Sequence, residues 1–188
     1  MTTHLGPGEA RLITDSPLGR LVVIASERGV RACGFVSPVL ADDAPDGGAG
    51  DGPDPSRAAA RAVAVRAAAE LAEYFAGERR VFDVPLDLRG TPFQVAAWRA
   101  LREIPFGVTV SYGEQARRLG LPNATRAVGA ANGANCVGII VPCHRVLDSR
   151  GGLHGYGGGL WRKQKLLELE GAAFRTVDAA ATSNLFSA

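Results

Sequence analysis

Cys143 lies between Pro142 and the pair His144-Arg145, in the run Val141-Pro142-Cys143-His144-Arg145-Val146-Leu147. The thiolate is the nucleophilic form of cysteine, and neighbouring cations favour it. The flanks are apolar and β-branched. Pro142 fixes its own φ and pushes Val141 toward extended backbone. The pattern predicts a buried strand, led in by residues 137–141, that delivers one sulfur to a defined place. Consecutive strand residues point to opposite faces, so His144 is expected to serve Cys143 through a bridging water. A base that carries a proton is best oriented by a carboxylate. Glu170 is the candidate, because it ends the predicted amphipathic helix 160–169 just before Gly171, which suits the C′ position. A carboxylate there opposes the helix macrodipole unless a cation partners it, and an imidazolium at His144 would be such a cation. A small packed cysteine and a solvated glutamate are the plain alternatives, and these residues alone leave both open.

The elements that must position these groups fall into two predicted parts, 1–89 and 90–171, with a tail at 172–188. In the first, residues 11–14, 20–25 and 30–36 are apolar runs separated by turn residues, which predicts short antiparallel strands. Residues 41–56 are almost all Asp, Gly, Ala and Pro and read as a mobile loop. The stretch 57–75 is alanine-rich with Leu and Val at helical spacing, and 81–88 can add a strand. The second part reads as mostly helical. Phe93, Ala97, Trp98, Leu101 and Ile104 recur at helical spacing until Pro105-Phe106-Gly107. Ser111-Tyr112-Gly113-Glu114 has the capping-box pattern and opens a short helix that ends at Gly120. Asn123 can cap the next helix, 124–133. The class is α+β: a small N-terminal α/β domain with antiparallel strands, followed by a mostly helical domain containing a helix-turn-helix.

Composition narrows the setting. Three cysteines without CxxC spacing in 188 residues argue against a disulfide framework and for a reducing compartment. No charged leader precedes an apolar run, and no stretch is apolar enough to span a bilayer, so a soluble cytoplasmic protein is expected. The net charge of +2 hides an asymmetry. Residues 1–89 hold 10 Arg against 13 Asp plus Glu, net −3, whereas residues 90–171 hold 10 Lys plus Arg against 5 acids, net +5. A basic second half suits a polyanion, although an ordinary soluble surface carries as much.

Helix 124–133 is unusual in its surface. It carries Ala127, Gly129, Ala130 and Ala131 where a surface helix would carry Glu, Lys or Leu. Gly129 alone costs roughly 1 kcal/mol relative to alanine. Such a smooth helix can approach closely, even a groove about 6 Å wide. Its one long side chain, Arg126, sits in the first turn against the macrodipole. Packing against a neighbour, with Arg126 in solvent, is the competing explanation. Farther on, 151–159 holds six glycines around Leu153, His154 and Tyr156. That run exposes backbone that can line a pocket, but it lacks the spacing of a phosphate loop.

Together these residues resemble the O6-alkylguanine-DNA alkyltransferases. The resemblance runs from Thr91 to Gly171: Thr91-Pro92-Phe93-Gln94, Ile104-Pro105-Phe106-Gly107, Ser111-Tyr112-Gly113-Glu114, Arg126-Ala127-Val128-Gly129, Ala131-Asn132-Gly133, Ile140-Val141-Pro142-Cys143-His144-Arg145-Val146, Gly155-Tyr156 and Glu170-Gly171. It implies irreversible transfer of a methyl or other alkyl group from O6 of guanine to Cys143, with O4 of thymine a further candidate, on double-stranded DNA bound by its minor groove. His144 would activate Cys143 through water, Glu170 would orient His144, and Asn135 would hold the turn that carries the nucleophile. Arg126 would replace the extruded nucleotide, with Ala127 and Gly129 allowing close approach. Tyr112 would press on the adjoining phosphate and protonate the leaving base. The carbonyls of Cys143 and Val146 and the Tyr156-Gly157 segment would read the guanine edge. No thioether-cleaving group is evident, so the protein would be spent after one reaction.

The chain departs from the family pattern in places. Cys136 stands where proline is usual, and Gly157 where some members have serine. Only His4 and Cys33 precede residue 90 as soft ligands, too few for a tetrahedral zinc site. No metal is therefore expected, and no cofactor and a monomeric state are expected as well. A lesion-binding protein without transfer is the alternative function, which the presence of Cys143 argues against. A cysteine hydrolase is a further one, and it leaves the smooth helix unexplained.

Overall fold

The structure, a computed structural model, describes residues 5–36 and 54–175. The predicted loop at 41–56 as far as residue 53, the tail from 176 onward, and His4 lie outside the described residues.

Three strands, β1 (Ala10–Thr14), β2 (Leu21–Ser26) and β3 (Gly29–Phe35), form an antiparallel sheet in the order β1-β2-β3. Period-two alternation splits β2 between two apolar clusters. Leu21, Val23 and Ala25 face helix α1 (Pro55–Phe75), while Val22 and Ile24 join Ala32, Leu5 and Val36 on the opposite face. Helix α1 begins inside the predicted loop: Asp54 caps it by accepting from the Ser56 amide, and Pro55 takes the first helical position. Its buried stripe is Ala60, Ala64, Ala67, Leu71 and Tyr74, and the alanines let helix and sheet approach closely.

Residues 81–88 do not form the expected strand. Pro85 has no N–H for a ladder, and the buried Glu70 carboxylate takes the amides of Asp83 (2.9 Å) and Val84 (3.1 Å). What survives is one parallel bridge, Val30 with Leu86.

Helix α2 (Pro92–Arg102) carries a complete capping box, with Thr91 and Gln94 reciprocally bonded. It buries Ala97, Trp98 and Leu101. Strand β4 (Val110–Ser111) leads directly into α3 (Tyr112–Arg118), capped by Ser111, which accepts from the Glu114 amide. Only this half of the expected box forms, because the Glu114 carboxylate goes instead to Arg117 and Arg118. Helix α4 (Thr125–Gly133) follows after a turn. Its N-cap is Ala124 without a side-chain cap bond, so the expected Asn123 cap is not made. Helices α3 and α4 are locked by a buried amide pair: Gln115 Nε2 donates to Asn132 Oδ1, and Asn132 Nδ2 donates to Gln115 Oε1 at 2.7 Å. Trp98 Nε1 donates to the Ala131 carbonyl and ties α2 to the same unit.

The strand expected to carry Cys143 is absent. Residues 137–141 fold as a compact turn in which the Val141 amide donates to the Val137 carbonyl, and Ile139 adopts φ 70°. A single 3-10 turn, Cys143–Arg145, follows, and then β5 (Val146–Leu147), parallel to β4. Helix α5 (Leu160–Leu169) closes the molecule. The two halves meet along a pairing of β3 with the compact turn: the Cys33 amide donates to the Cys136 carbonyl at 2.8 Å, and the Gly138 amide to the Cys33 carbonyl at 2.7 Å. Docking onto β3, rather than local preference, shapes 137–141.

Candidate active site

Cys143 opens the 3-10 turn and is half-buried at the wall of a cavity of about 430 Å³. Asn135, Phe35, Tyr156, Gly157 and Gly158 line the same cavity. Burial pushes the Cys143 thiol up, while a hydrogen bond from Asn135 and the charge of Lys163 pull it back. Asn135 also spans the compact turn, donating from Nδ2 to the Val141 carbonyl (2.9 Å) and accepting from the Val137 amide (3.0 Å).

His144 lies behind the cavity and is fully buried. Its Nε2 is 2.9 Å from Glu170 Oε1. Burial lowers the imidazole pKa, so the ring is neutral near pH 7 despite the adjacent carboxylate. Burial alone would raise the Glu170 pKa, but hydrogen bonds and charge from His144 and Arg145 bring it down to about 2. An ionised carboxylate only accepts. The imidazole proton therefore sits on Nε2, and Nδ1 keeps the lone pair. Nδ1 is buried and has no hydrogen-bond partner among the described residues. Glu170 caps α5 with Gly171 at φ 65° behind it, as the sequence predicts. The guanidinium of Arg145 grips both carboxylate oxygens, Nε to Oε2 at 2.8 Å and Nη2 to Oε1 at 2.9 Å, and Nη1 donates to the Ile104 carbonyl. Gly107 comes so close that a Cβ there would lie 2.8 Å from the Glu170 carbonyl oxygen, and its φ is +77°.

Other candidates sit at the margin of this cluster. Tyr112, half-buried, begins α3 and directs its phenol to the His154 carbonyl at 3.4 Å; burial and then the neighbouring Cys143 raise its pKa. Arg126 and Ala127 are exposed on α4. Gly129 faces back toward Tyr112, whose ring would be 3.9 Å from a Cβ there. Two expected guanine readers are already engaged. The Cys143 carbonyl accepts from the Val146 amide, and the Val146 carbonyl accepts from Lys163 Nζ at 2.7 Å. Each retains one lone pair. Tyr156 stands edge-on to His144, with ring centroids 6.4 Å apart.

Sequence reading missed Lys163, Tyr74 and Arg162. Lys163 is fully buried, bonds the Val146 and His154 carbonyls, and is pushed by burial down to about 8. Its signal was present: Lys163, Leu166, Leu167 and Glu170 form one buried i, i+3, i+4, i+7 stripe with a charge at each end. Tyr74 donates to Glu170 Oε1 at 2.7 Å. Arg162 bonds the Leu18 and Gly158 carbonyls and stacks on Phe35 at 4.4 Å, pinning the glycine run to the N-terminal sheet.

The domain family described as 6-O-methylguanine DNA methyltransferase, DNA binding domain, matches residues 92–172, and the one described as 6-O-methylguanine DNA methyltransferase, ribonuclease-like domain, matches residues 11–88. A methylated-DNA–protein-cysteine methyltransferase of Methanosarcina acetivorans is 42% identical over 160 residues, 85% of this chain and 97% of that protein. The chain belongs to this family. Another member, from Mycolicibacterium paratuberculosis, is 60% identical over 101 residues, which span 54% of this chain and 61% of that relative. The crystal structure of Mycobacterium tuberculosis O6-methylguanine methyltransferase superposes with a TM-score of 0.69 at 41% identity, over 92% of this chain and 98% of that one. Mycobacterium tuberculosis OGT in complex with DNA gives 0.68 at 44% identity, over 85% and 91%. The α+β architecture is thus that of a solved family member, and the sequence resemblance from Thr91 to Gly171 lies within the DNA-binding-domain match.

Proposed function

We propose that the protein repairs DNA by transferring an alkyl group from O6 of guanine irreversibly to Cys143. The observation that carries this reading is the Cys143 thiol at the cavity wall, with a neutral, carboxylate-anchored His144 buried behind it. His144 Nδ1 takes the thiol proton through a water. The thiolate attacks the alkyl carbon, a C–S bond forms as the C–O bond breaks, and the electron pair stays on the guanine. Tyr112 supplies the proton that the leaving base needs. The base reaches the cavity by leaving the duplex, at a cost of a few kcal/mol in stacking and pairing. Exposed Arg126 on the smooth face of α4 fills the gap, and the DNA complex of the M. tuberculosis relative supports a DNA partner.

The test is intact-protein mass after incubation with a duplex containing O6-methylguanine. One methyl group is expected on Cys143 and none on Cys143→Ala. Tight lesion binding with no mass change would favour the lesion-binding alternative, and repeated turnover would favour a hydrolase. Arg126→Ala should slow transfer more than it weakens duplex binding, and equal losses would remove Arg126 from the flipping step.

A further inference from the structure

The Glu170 carboxylate accepts more hydrogen bonds than orienting one imidazole requires. Oε1 receives His144 Nε2 (2.9 Å), Arg145 Nη2 (2.9 Å) and the Tyr74 phenol (2.7 Å); Oε2 receives Arg145 Nε (2.8 Å) and the Gly107 amide (3.2 Å). Arg145 and Gly107 belong to the same half of the chain as Glu170. Tyr74 does not: it is the last buried residue of α1, fully buried, with its ring packed against Phe75, Phe82 and Phe106. Its phenol is aimed at the same oxygen that His144 uses, and its bond is the shortest of the five.

Three donors on one oxygen compete for the same electron density, because each bond that polarises Oε1 weakens it as an acceptor for the others. The strength with which Glu170 holds the Nε2 proton sets the proton affinity of Nδ1 at the far side of the ring. We propose that Tyr74 is a positioning residue for alkyl transfer, supplied by the N-terminal part of the chain, which tempers Glu170 and so keeps the His144 imidazole neutral and correctly turned. This rests on the reading in which His144 relays the Cys143 proton. Among the described residues, the charged and titratable groups that face the His144–Glu170 pair are Arg145 beside it, Tyr74 from α1, Lys163 from α5, and Tyr156 and Cys143 on the cavity side. Of these, Tyr74 alone combines an uncharged donor with a contact to Oε1, so removing its hydroxyl changes no formal charge.

Tyr74→Phe deletes the donor and keeps the ring among Phe75, Phe82 and Phe106. Oε1 then binds Nε2–H more strongly, and the imidazolium is favoured. The acid limb of the rate–pH profile for methyl transfer from saturating O6-methylguanine duplex should move upward by about half a unit, roughly threefold in rate on that limb. The His144 ring titration, followed by NMR in the full-length protein, should move the same way; it needs no activity and reads even a partly unstable variant. In a Glu170→Ala background, which removes the shared acceptor, the same Tyr74→Phe change should produce no shift. An unmoved limb and titration, whatever happens to the melting temperature, would reduce Tyr74 to a packing role and overturn the proposal. A shift that persists in Glu170→Ala overturns it as well, since Tyr74 would then act elsewhere. Wild-type transfer rates in both His144→Ala and Glu170→Gln mark a different failure, that of the relay itself, and this proposal falls with it.

Discussion

Asn135→Ala tests how the nucleophile is held. The side chain makes two bonds across the compact turn, to the Val141 carbonyl and from the Val137 amide. They are not equivalent. The Val141 carbonyl also accepts from the Cys143 amide at 2.9 Å and keeps that bond in the variant. The amide of Val137, a residue only 2% exposed, is left without its Asn135 partner. Losing the first bond costs about 1 kcal/mol, and stranding the second group costs about 1–3 kcal/mol. The turn also holds a buried β-branched residue, Ile139, at φ 70°, a conformation that costs roughly 1–2 kcal/mol and persists only while the surroundings enforce it. A total of roughly 2–4 kcal/mol follows, which for a chain of this size lowers the melting temperature by roughly 5–12 °C. Scanning calorimetry reads that loss, and the single-turnover methyl-transfer rate reads its effect on Cys143. Asn135→Asp separates holding from electrostatics: it preserves the acceptor for the Val137 amide but sets an anion beside the thiol, opposing the lowering that Asn135 now provides. Transfer by Asn135→Asp should therefore be slower than by Asn135→Ala at neutral pH. A melting point within 1 °C of wild type in Asn135→Ala, or faster transfer in the Asp variant, refutes this account.

Acid should weaken the fold through Glu170. Its folded carboxyl titrates at about 2 against 4.5 unfolded, so its stabilisation is complete above pH 4.5 and is lost as pH falls toward 2. The full span is worth on the order of 3 kcal/mol, and Glu170→Gln should flatten urea-midpoint curves across that window; equal acid sensitivity in both proteins contradicts it. Gly107→Ala should cost more stability than Gly120→Ala. Both glycines have positive φ (77° and 72°), but only at Gly107 does a Cβ meet backbone, the Glu170 carbonyl oxygen at 2.8 Å. Gly120→Ala should lose about 1 kcal/mol and Gly107→Ala clearly more, with slower transfer; equal losses in chemical denaturation would mean the contact relaxes freely.

The regular elements were legible where one local period decides them. Strands β1 to β3 and helices α1, α2 and α5 lie within a residue or two of the expected spans, because alternation and helical spacing record which face is buried. Legibility failed where a distant group redirects the backbone. Glu70 takes amides that 81–88 would need for a ladder, and β3 captures the turn at 137–141, where a run of Val and Ile otherwise favours a strand. Within the candidate site, Cys143, His144 and Glu170 stood out by their chemistry and the fold brings His144 and Glu170 together, but the strand expected to carry Cys143 is replaced by a compact turn and a 3-10 turn. Lys163 hid inside an apolar stripe. Tyr74 carried no signal, since a buried aromatic at the end of a helix is ordinary packing until the carboxylate it meets is known.

The bond from Tyr74 to Glu170 spans 96 residues, and the bond from Arg162 to the Leu18 carbonyl spans 144. Contacts at such separation demand extensive loop closure, which slows folding. During synthesis Cys143 leaves the ribosome before Glu170. Until residue 170 is made and α5 has docked, the His144 imidazole lacks its carboxylate anchor. On the proposed function, the single equivalent of reactivity is therefore completed only at the end of folding.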